Sequence, residues 1–186
     1  MNFPGPTIRQ LQTADTAAYR SLRLRGLREH PDAFTSSFEE VQAEAPSALE
    51  KRLADSSGAT LWGAFAGDEL VGAVGLNREH RSKNRHKATL VAMFVTREQA
   101  GHGIGRALVD AVLQHARATG IELIVLTVTD TNEGARRLYA AAGFRDIGIE
   151  PDAVRVNGQS FGKRHMFLQL PPAVQPPHPH PSQETP

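Results

Sequence analysis

The residues of this chain best suited to chemistry are backbone-exposing ones. The stretch Ala100-Gly101-His102-Gly103-Ile104-Gly105 sets three glycines at alternate positions, directly ahead of a run with helical spacing. A helix that begins in such a turn offers unpaired N–H groups and a positive dipole end. Glycine lets the backbone itself touch a ligand. Each dipole contact stabilises an anion by ~0.3–1 kcal/mol when exposed and up to ~2 when partly buried. Several N–H bonds together suit a pyrophosphate.

Three anion-binding patterns compete for this turn. A P-loop needs Lys and then Ser or Thr after its last glycine, but Arg106-Ala107 follows here. A dinucleotide fingerprint is G-x-G-x-x-G with an acid about 20 residues on, at the end of the next strand. Here the spacing is G-x-G-x-G, and Glu122 opens the next strand instead of closing it. A plain flexible turn is the bland alternative, with Gly105 there for close packing. A second apparent motif, Gly158-Gln159-Ser160-Phe161-Gly162, spells the G-x-S-x-G nucleophile elbow. That elbow requires strand, turn, helix. A strand follows here, so the segment reads as a hairpin turn.

The glycine turn needs elements to hold it. Apolar residues Ile104, Ala107, Leu108, Ala111 and Val112 fall on one helical face, predicting a helix over 103–119 that Gly120 ends. A strand over 87–96 runs into the turn, and a strand over 121–128 leaves the helix. The core of the latter, Leu123-Ile124-Val125-Leu126, is apolar throughout, as for a strand covered on both faces. This is a β-α-β unit with parallel strands. Upstream, the pattern predicts a strand over 7–11, helices over 15–29 and 38–43 and after Pro46, and strands over 60–65 and 70–79 joined at Gly67-Asp68. Downstream it predicts a helix over 132–142 and strands over 144–149 and 161–170. The fold class is therefore mixed α/β.

At 186 residues, 40% apolar and 22% charged, the chain suits one globular domain. Its net charge of +1 provides no general attraction to nucleic acid or membrane. The basic run Arg78, Arg81, Lys83, Arg85 and Lys87 reads as a charged turn without interleaved aromatics. With no cysteine, disulfides, thiolate metal sites and a cysteine nucleophile are excluded. No basic segment followed by an apolar run opens the chain, and no apolar run reaches the ~20 residues of a membrane helix. A cytoplasmic location is the expectation. Residues 171–186 are rich in proline and read as a disordered tail, with the domain over 1–170. His178 and His180 in that tail lack converging ligands, so no metal is expected.

The glycine turn and a second block, Asn132-Glu133-Gly134-Ala135-Arg136-Arg137-Leu138-Tyr139-Ala140-Ala141-Ala142-Gly143-Phe144, together resemble the GNAT superfamily of N-acetyltransferases. That family's signature is R/Q-x-x-G-x-G/A. Gly103 and Gly105 fill its small positions, and Ala100 stands where Arg or Gln is usual. The second block follows N-x-x-A-x-x-L-Y-x-x-x-G-F. The resemblance implies a mostly antiparallel sheet with one parallel pair, flanked by helices. It implies acetyl-CoA as acyl donor and direct transfer to a primary amine of a small molecule or peptide; a homodimer is compatible with it.

By position, the backbone of Phe94 and Val95 would pair with the pantetheine arm. The amides of Gly101, His102, Gly103, Ile104, Gly105 and Arg106 would take the pyrophosphate, and Asn132 would touch the arm. Tyr139 would protonate the departing thiolate. A phenol of pKa near ~10 is protonated at neutral pH, so the role is chemically sensible. Ala135, Leu138, Tyr139 and Ala142 also form an apolar helical stripe, which alone would read as core. The family's strand-borne carboxylate position holds Thr89. Glu79, with His80 and His86, is the candidate base, directly or through water. Phe34, Phe38 and Glu39 are candidates for the acceptor pocket, against an alternative as helix cap and packing. A non-catalytic acyl-CoA sensor and a nucleotide-binding module are the competing functions.

Overall fold

Six side chains decide where the sheet is covered. Ile104, Leu108, Val109, Val112, Leu113 and Ala116 of one helix are each at most 4% exposed. Ile104, Leu108 and Val112 belong to the expected apolar stripe, which Val109, Leu113 and Ala116 widen, while its Ala107 and Ala111 are half-buried; burying each of the larger side chains contributes ~1.5–3 kcal/mol. The computed structural model describes residues 5–54 and 58–171. The expected tail, with His178 and His180, lies outside them apart from Pro171.

The strands are β1 (Thr7–Gln10), β2 (Ala59–Ala66), β3 (Glu69–Arg78), β4 (Lys87–Val95), β5 (Leu123–Thr129), β6 (Arg145–Val156) and β7 (Gln159–Gln169). They form one sheet in the order β1-β2-β3-β4-β5-β7-β6. All neighbours are antiparallel except β4 and β5. Helices α4 (Ile104–Ala118) and α5 (Glu133–Ala141) share a core with Trp62, Val74, Leu90, Ile124 and Leu126. Helices α1 (Thr16–Glu29), α2 (Phe38–Ala43) and α3 (Pro46–Leu53) lie over the other face, where Tyr19, Leu22 and Leu49 pack with Leu61, Phe65 and Phe94.

Local chemistry accounts for the boundaries. Ser37 caps α2: its hydroxyl accepts the Glu40 N–H at 3.1 Å, and the Glu40 carboxylate accepts the Ser37 N–H at 2.8 Å. Pro46 starts α3, where the missing N–H is harmless. Gly26 of α1 lets the helix approach the sheet closely, since a Cβ there would sit 3.0 Å from the Phe94 ring.

The last hairpin departs from the sequence expectation. β6 continues past 149 to Val156, through Pro151 and an irregularity between Glu150 and Val154. It is an edge strand, where proline sacrifices no ladder hydrogen bond. Asn157 and Gly158, both at positive φ, make the two-residue turn, with Val156 opposite Gln159. The G-x-S-x-G segment is thus hairpin, as its following strand required.

Candidate functional site

The site is built on a defect in the sheet. β4 pairs with β5 over only three positions, Lys87↔Leu123, Ala88↔Ile124 and Thr89↔Val125. Beyond Thr89 the strands separate, and the side of β4 facing β5 carries no ladder as far as Val95. On its other side β4 bulges: Ala92 and Met93 together oppose Val74, between the pairs Val91↔Gly75 and Phe94↔Ala73. Ala92 takes φ +54° to do this, a left-handed conformation that L-residues adopt at a cost. The extra residue flips the alternation. Leu90 packs in the α4 core, whereas Phe94, four residues on, packs under α1.

The open edge leads straight to the glycine turn. Gly101 and Gly103 have φ of +80° and +76°, and a Cβ at either would meet nothing within 4 Å. Both therefore serve backbone conformation and leave open space in front of the turn. Gly105 does a different job: its Cβ would lie 3.2 Å from Leu138, so it lets α5 pack on α4. Gly103 occupies the N-cap of α4 without a side-chain cap. Among the described residues, no protein acceptor takes the N–H of Gly101, His102, Gly103, Ile104, Gly105 or Arg106. The Arg106 side chain points to its own helix and the next, bonding Asp110 at 2.9 Å and the Ala141 carbonyl at 2.9 Å. The preceding 3-10 turn, Arg97–Gln99, is anchored to α1 by Arg25, whose guanidinium meets both Glu98 oxygens at 2.7 Å.

Asn132 stands at the N-cap of α5, its Oδ1 accepting the Ala135 N–H at 3.0 Å. Tyr139 is 4% exposed, in the core on the α4 side, with its ring edge-on to Phe144 at 5.8 Å. No hydrogen bond holds its hydroxyl among the described residues, and burial pushes the phenol well above its ordinary value.

On the other face, a cavity of about 340 Å³ opens where the strands part. Thr89, Val91 and Ala92 of β4 and Thr127 of β5 form its floor, and Tyr19, Arg23, Phe34, Glu44 and Arg52 line it from the helical side. Burial pushes the Tyr19 phenol up, against the opposing influence of Arg23 and Arg52. Phe34, Thr35 and Ser36 separate this cavity from a second, of about 680 Å³, that Phe38 and Glu39 line together with the β6–β7 hairpin. Of the three expected acceptor residues, Phe34 alone therefore borders the strand gap. Glu79 lines a third cavity, which meets the first at Arg52, Ala59 and Asn77. It sits level with Lys87, whose carbonyl accepts the Glu79 N–H at 3.1 Å. That is four residues along β4 from Val91, roughly 13 Å at strand rise.

The wall at 30–36 is fixed by a buried lysine. Lys163 of β7, 5% exposed, donates to the Asp32 carbonyl at 2.7 Å and to Thr129 Oγ1 at 3.0 Å. Thr129 Oγ1 donates to the same carbonyl at 2.8 Å. Desolvation lowers the lysine pKa, against the pull of Asp32 and Asp130.

The acetyltransferase (GNAT) family matches residues 25–144, from α1 through the whole gap, the glycine turn and α5. The chain belongs to the GNAT acetyltransferase family. It is 34% identical over 101 residues to N-acetyltransferase 8B of Rattus norvegicus, covering 54% of this chain and 46% of that one. It is 32% identical over 145 residues to aminoglycoside N(6')-acetyltransferase type 1 of Stenotrophomonas maltophilia, covering 76% and 87%. The chain spans about half the length of the mammalian relatives it matches. The fold superposes on a GNAT superfamily phosphinothricin acetyltransferase from Sinorhizobium meliloti, solved in complex with AcCoA, with a TM-score of 0.76 and 17% identity over 98% of both chains. In this GNAT protein one 3-10 turn joins the open β4 edge to the uncapped start of α4. Tyr19, Arg23, Glu44, Arg52 and Thr127 were not singled out from sequence. The spacing of Tyr19 and Arg23, one helical turn apart on α1, is the signal that could have paired them.

Proposed function

We propose that this GNAT protein is an acetyl-CoA-dependent N-acetyltransferase that passes acetyl directly to a primary amine. The observation that carries this reading is the strand edge left unpaired beyond Thr89, followed after one 3-10 turn by six backbone amides without an acceptor among the described residues. A pantetheine arm is an amide-bearing chain that suits such an edge, and a pyrophosphate suits such amides. When bound, acetyl-CoA supplies an activated acyl group as a thioester.

The residues divide the remaining work between the two faces of the sheet. Backbone groups of Phe94 and Val95 orient the arm, and the amides from Gly101 to Arg106 hold the diphosphate. Asn132 keeps α5 started, so that Tyr139 reaches the gap from the α4 side. Its buried phenol retains a proton at Oη for the leaving sulfur. The amine arrives from the α1 side, in the cavity floored by Val91, Ala92 and Thr127. Its proton leaves through water towards Glu79 by way of Asn77, or towards Glu44, which lines the cavity itself. Without a cysteine, no thiol of the protein can carry the acetyl group. Phe38 and Glu39 would contact the distal part of a longer acceptor in the neighbouring cavity.

The test is a thiol-release screen of acetyl-CoA against small amines, polyamines, amino acids and peptide N-termini, beside binding of coenzyme A, NAD and ATP. Coenzyme A should bind most tightly and at least one amine class should release thiol. Tighter binding of NAD or ATP would remove the reading. Acetyl-CoA binding with no thiol release from any amine would favour a sensor.

A further inference from the structure

Two charged side chains of the acceptor cavity, Arg23 and Glu44, have no ion-pair partner among the described residues. Arg23 reaches it from α1, half-buried, with its Nε enclosed and without a hydrogen-bond partner among the described residues. Its polar neighbours are neutral: Nη2 approaches the Ser36 hydroxyl at a long 3.4 Å, the Tyr19 hydroxyl lies beside it, and the guanidinium stands 5.8 Å from the Phe34 ring. Among the described residues it forms no ion pair. Arg52 lines the same cavity. So does Glu44, whose carboxylate likewise forms no ion pair among the described residues, although its backbone carbonyl accepts from Arg20 at 3.0 Å.

A part-buried guanidinium without an anion is costly, because water no longer solvates it fully and neutral hydroxyls and a ring face replace only part of the lost solvation. Its fork of donors matches an oxyanion bidentately. We propose that the acceptor is a small amine that also carries a carboxylate, with Arg23 as the residue that reads the carboxylate and Glu44 facing the ammonium end. Resting on the acetyltransferase reading, this names its substrate class as the α-amino acids and their close kin. The size fits: about 340 Å³ lies at the low end of small-molecule sites, too small for a folded protein segment. The walls fit as well, since Phe34, Leu61 and Val91 favour an apolar side chain.

The experiment compares thiol release from acetyl-CoA with a panel of α-amino acids and with the same amines lacking the carboxylate. It uses the full chain and its Arg23→Gln and Arg23→Lys variants. Wild type should prefer the carboxylate-bearing member by about 10- to 100-fold in kcat/KM. Arg23→Gln should bring the preference close to parity through KM, and Arg23→Lys should restore part of it. Undiminished coenzyme A binding checks that the variants are folded. Equal use of both series by wild type, or a preference that survives Arg23→Gln, overturns the proposal and leaves the transferase reading standing. Should neither series release thiol, the transferase reading fails. The carboxylate proposal is then decided by calorimetry of the same amino acids with wild type, where binding that Arg23→Gln abolishes supports it and absent binding overturns it.

Discussion

Tyr139 combines two properties that rarely suit a surface acid: nearly complete burial and a hydroxyl with no partner among the described residues. Because the hydroxyl makes no hydrogen bond, Tyr139→Phe should leave stability nearly unchanged. As the proton source for the leaving sulfur, it should lower kcat by about 10²-fold or more, with coenzyme A affinity unaltered. Steady-state kinetics beside calorimetry checks both halves; full activity would make Tyr139 a core residue only. The same burial sets a pH signature. The folded chain keeps the phenol proton to higher pH than the unfolded chain does. Its contribution is therefore complete below pH ~10 and is lost as pH rises from there towards the folded value. Urea unfolding at increasing alkaline pH should show stability falling by up to about 1.4 kcal/mol per pH unit from this group, and Tyr139→Phe should remove that slope.

At the scale of elements, the three glycines of one turn separate into different jobs. Gly103→Ala forces a side chain into φ +76°, so stability should drop by roughly 1–2 kcal/mol. Its new methyl group would stand in the open space ahead of α4, so coenzyme A should also bind more weakly. Thermal melting and calorimetry measure the two effects separately. Much of this turn was legible in the residues: the helical stripe, the glycine spacing and the 132–144 block each point to elements that are present. The bulge at Ala92 was not, because neither glycine nor proline marks it, and the residue accepts a left-handed conformation imposed by the strands around it. The length of β6 was hidden for the opposite reason. Pro151 reads as a strand breaker, and only its place at the sheet edge makes it harmless. Asn157-Gly158, a strong hairpin signal, does mark where that strand ends.

For the whole molecule, the residues that remained invisible are those that depend on the meeting of distant segments. Arg23 reads as an ordinary charge on a helix with a solvated face, Glu44 as one just past a helix end, and Thr127 as a polar break in an apolar strand. Only the packing of α1 and α2 over the gap collects them around one cavity. Lys163 and Asp32, 131 positions apart, are bonded for the same reason.

The three-pair seam between β4 and β5 has a mechanical consequence. Two half-sheets, β1–β4 and β5–β7–β6, meet edge to edge over Lys87–Thr89 and Leu123–Val125 and then diverge. The sheet thus leaves a strand's worth of hydrogen bonding open, which the proposed donor arm would complete. Amide exchange at Leu90 and Ala92, which alternate away from β3, should run faster in the free chain than at Ala88, and should slow when coenzyme A is added. Each turnover would then end by reopening the sheet, which ties release of the spent coenzyme to the breathing of the fold.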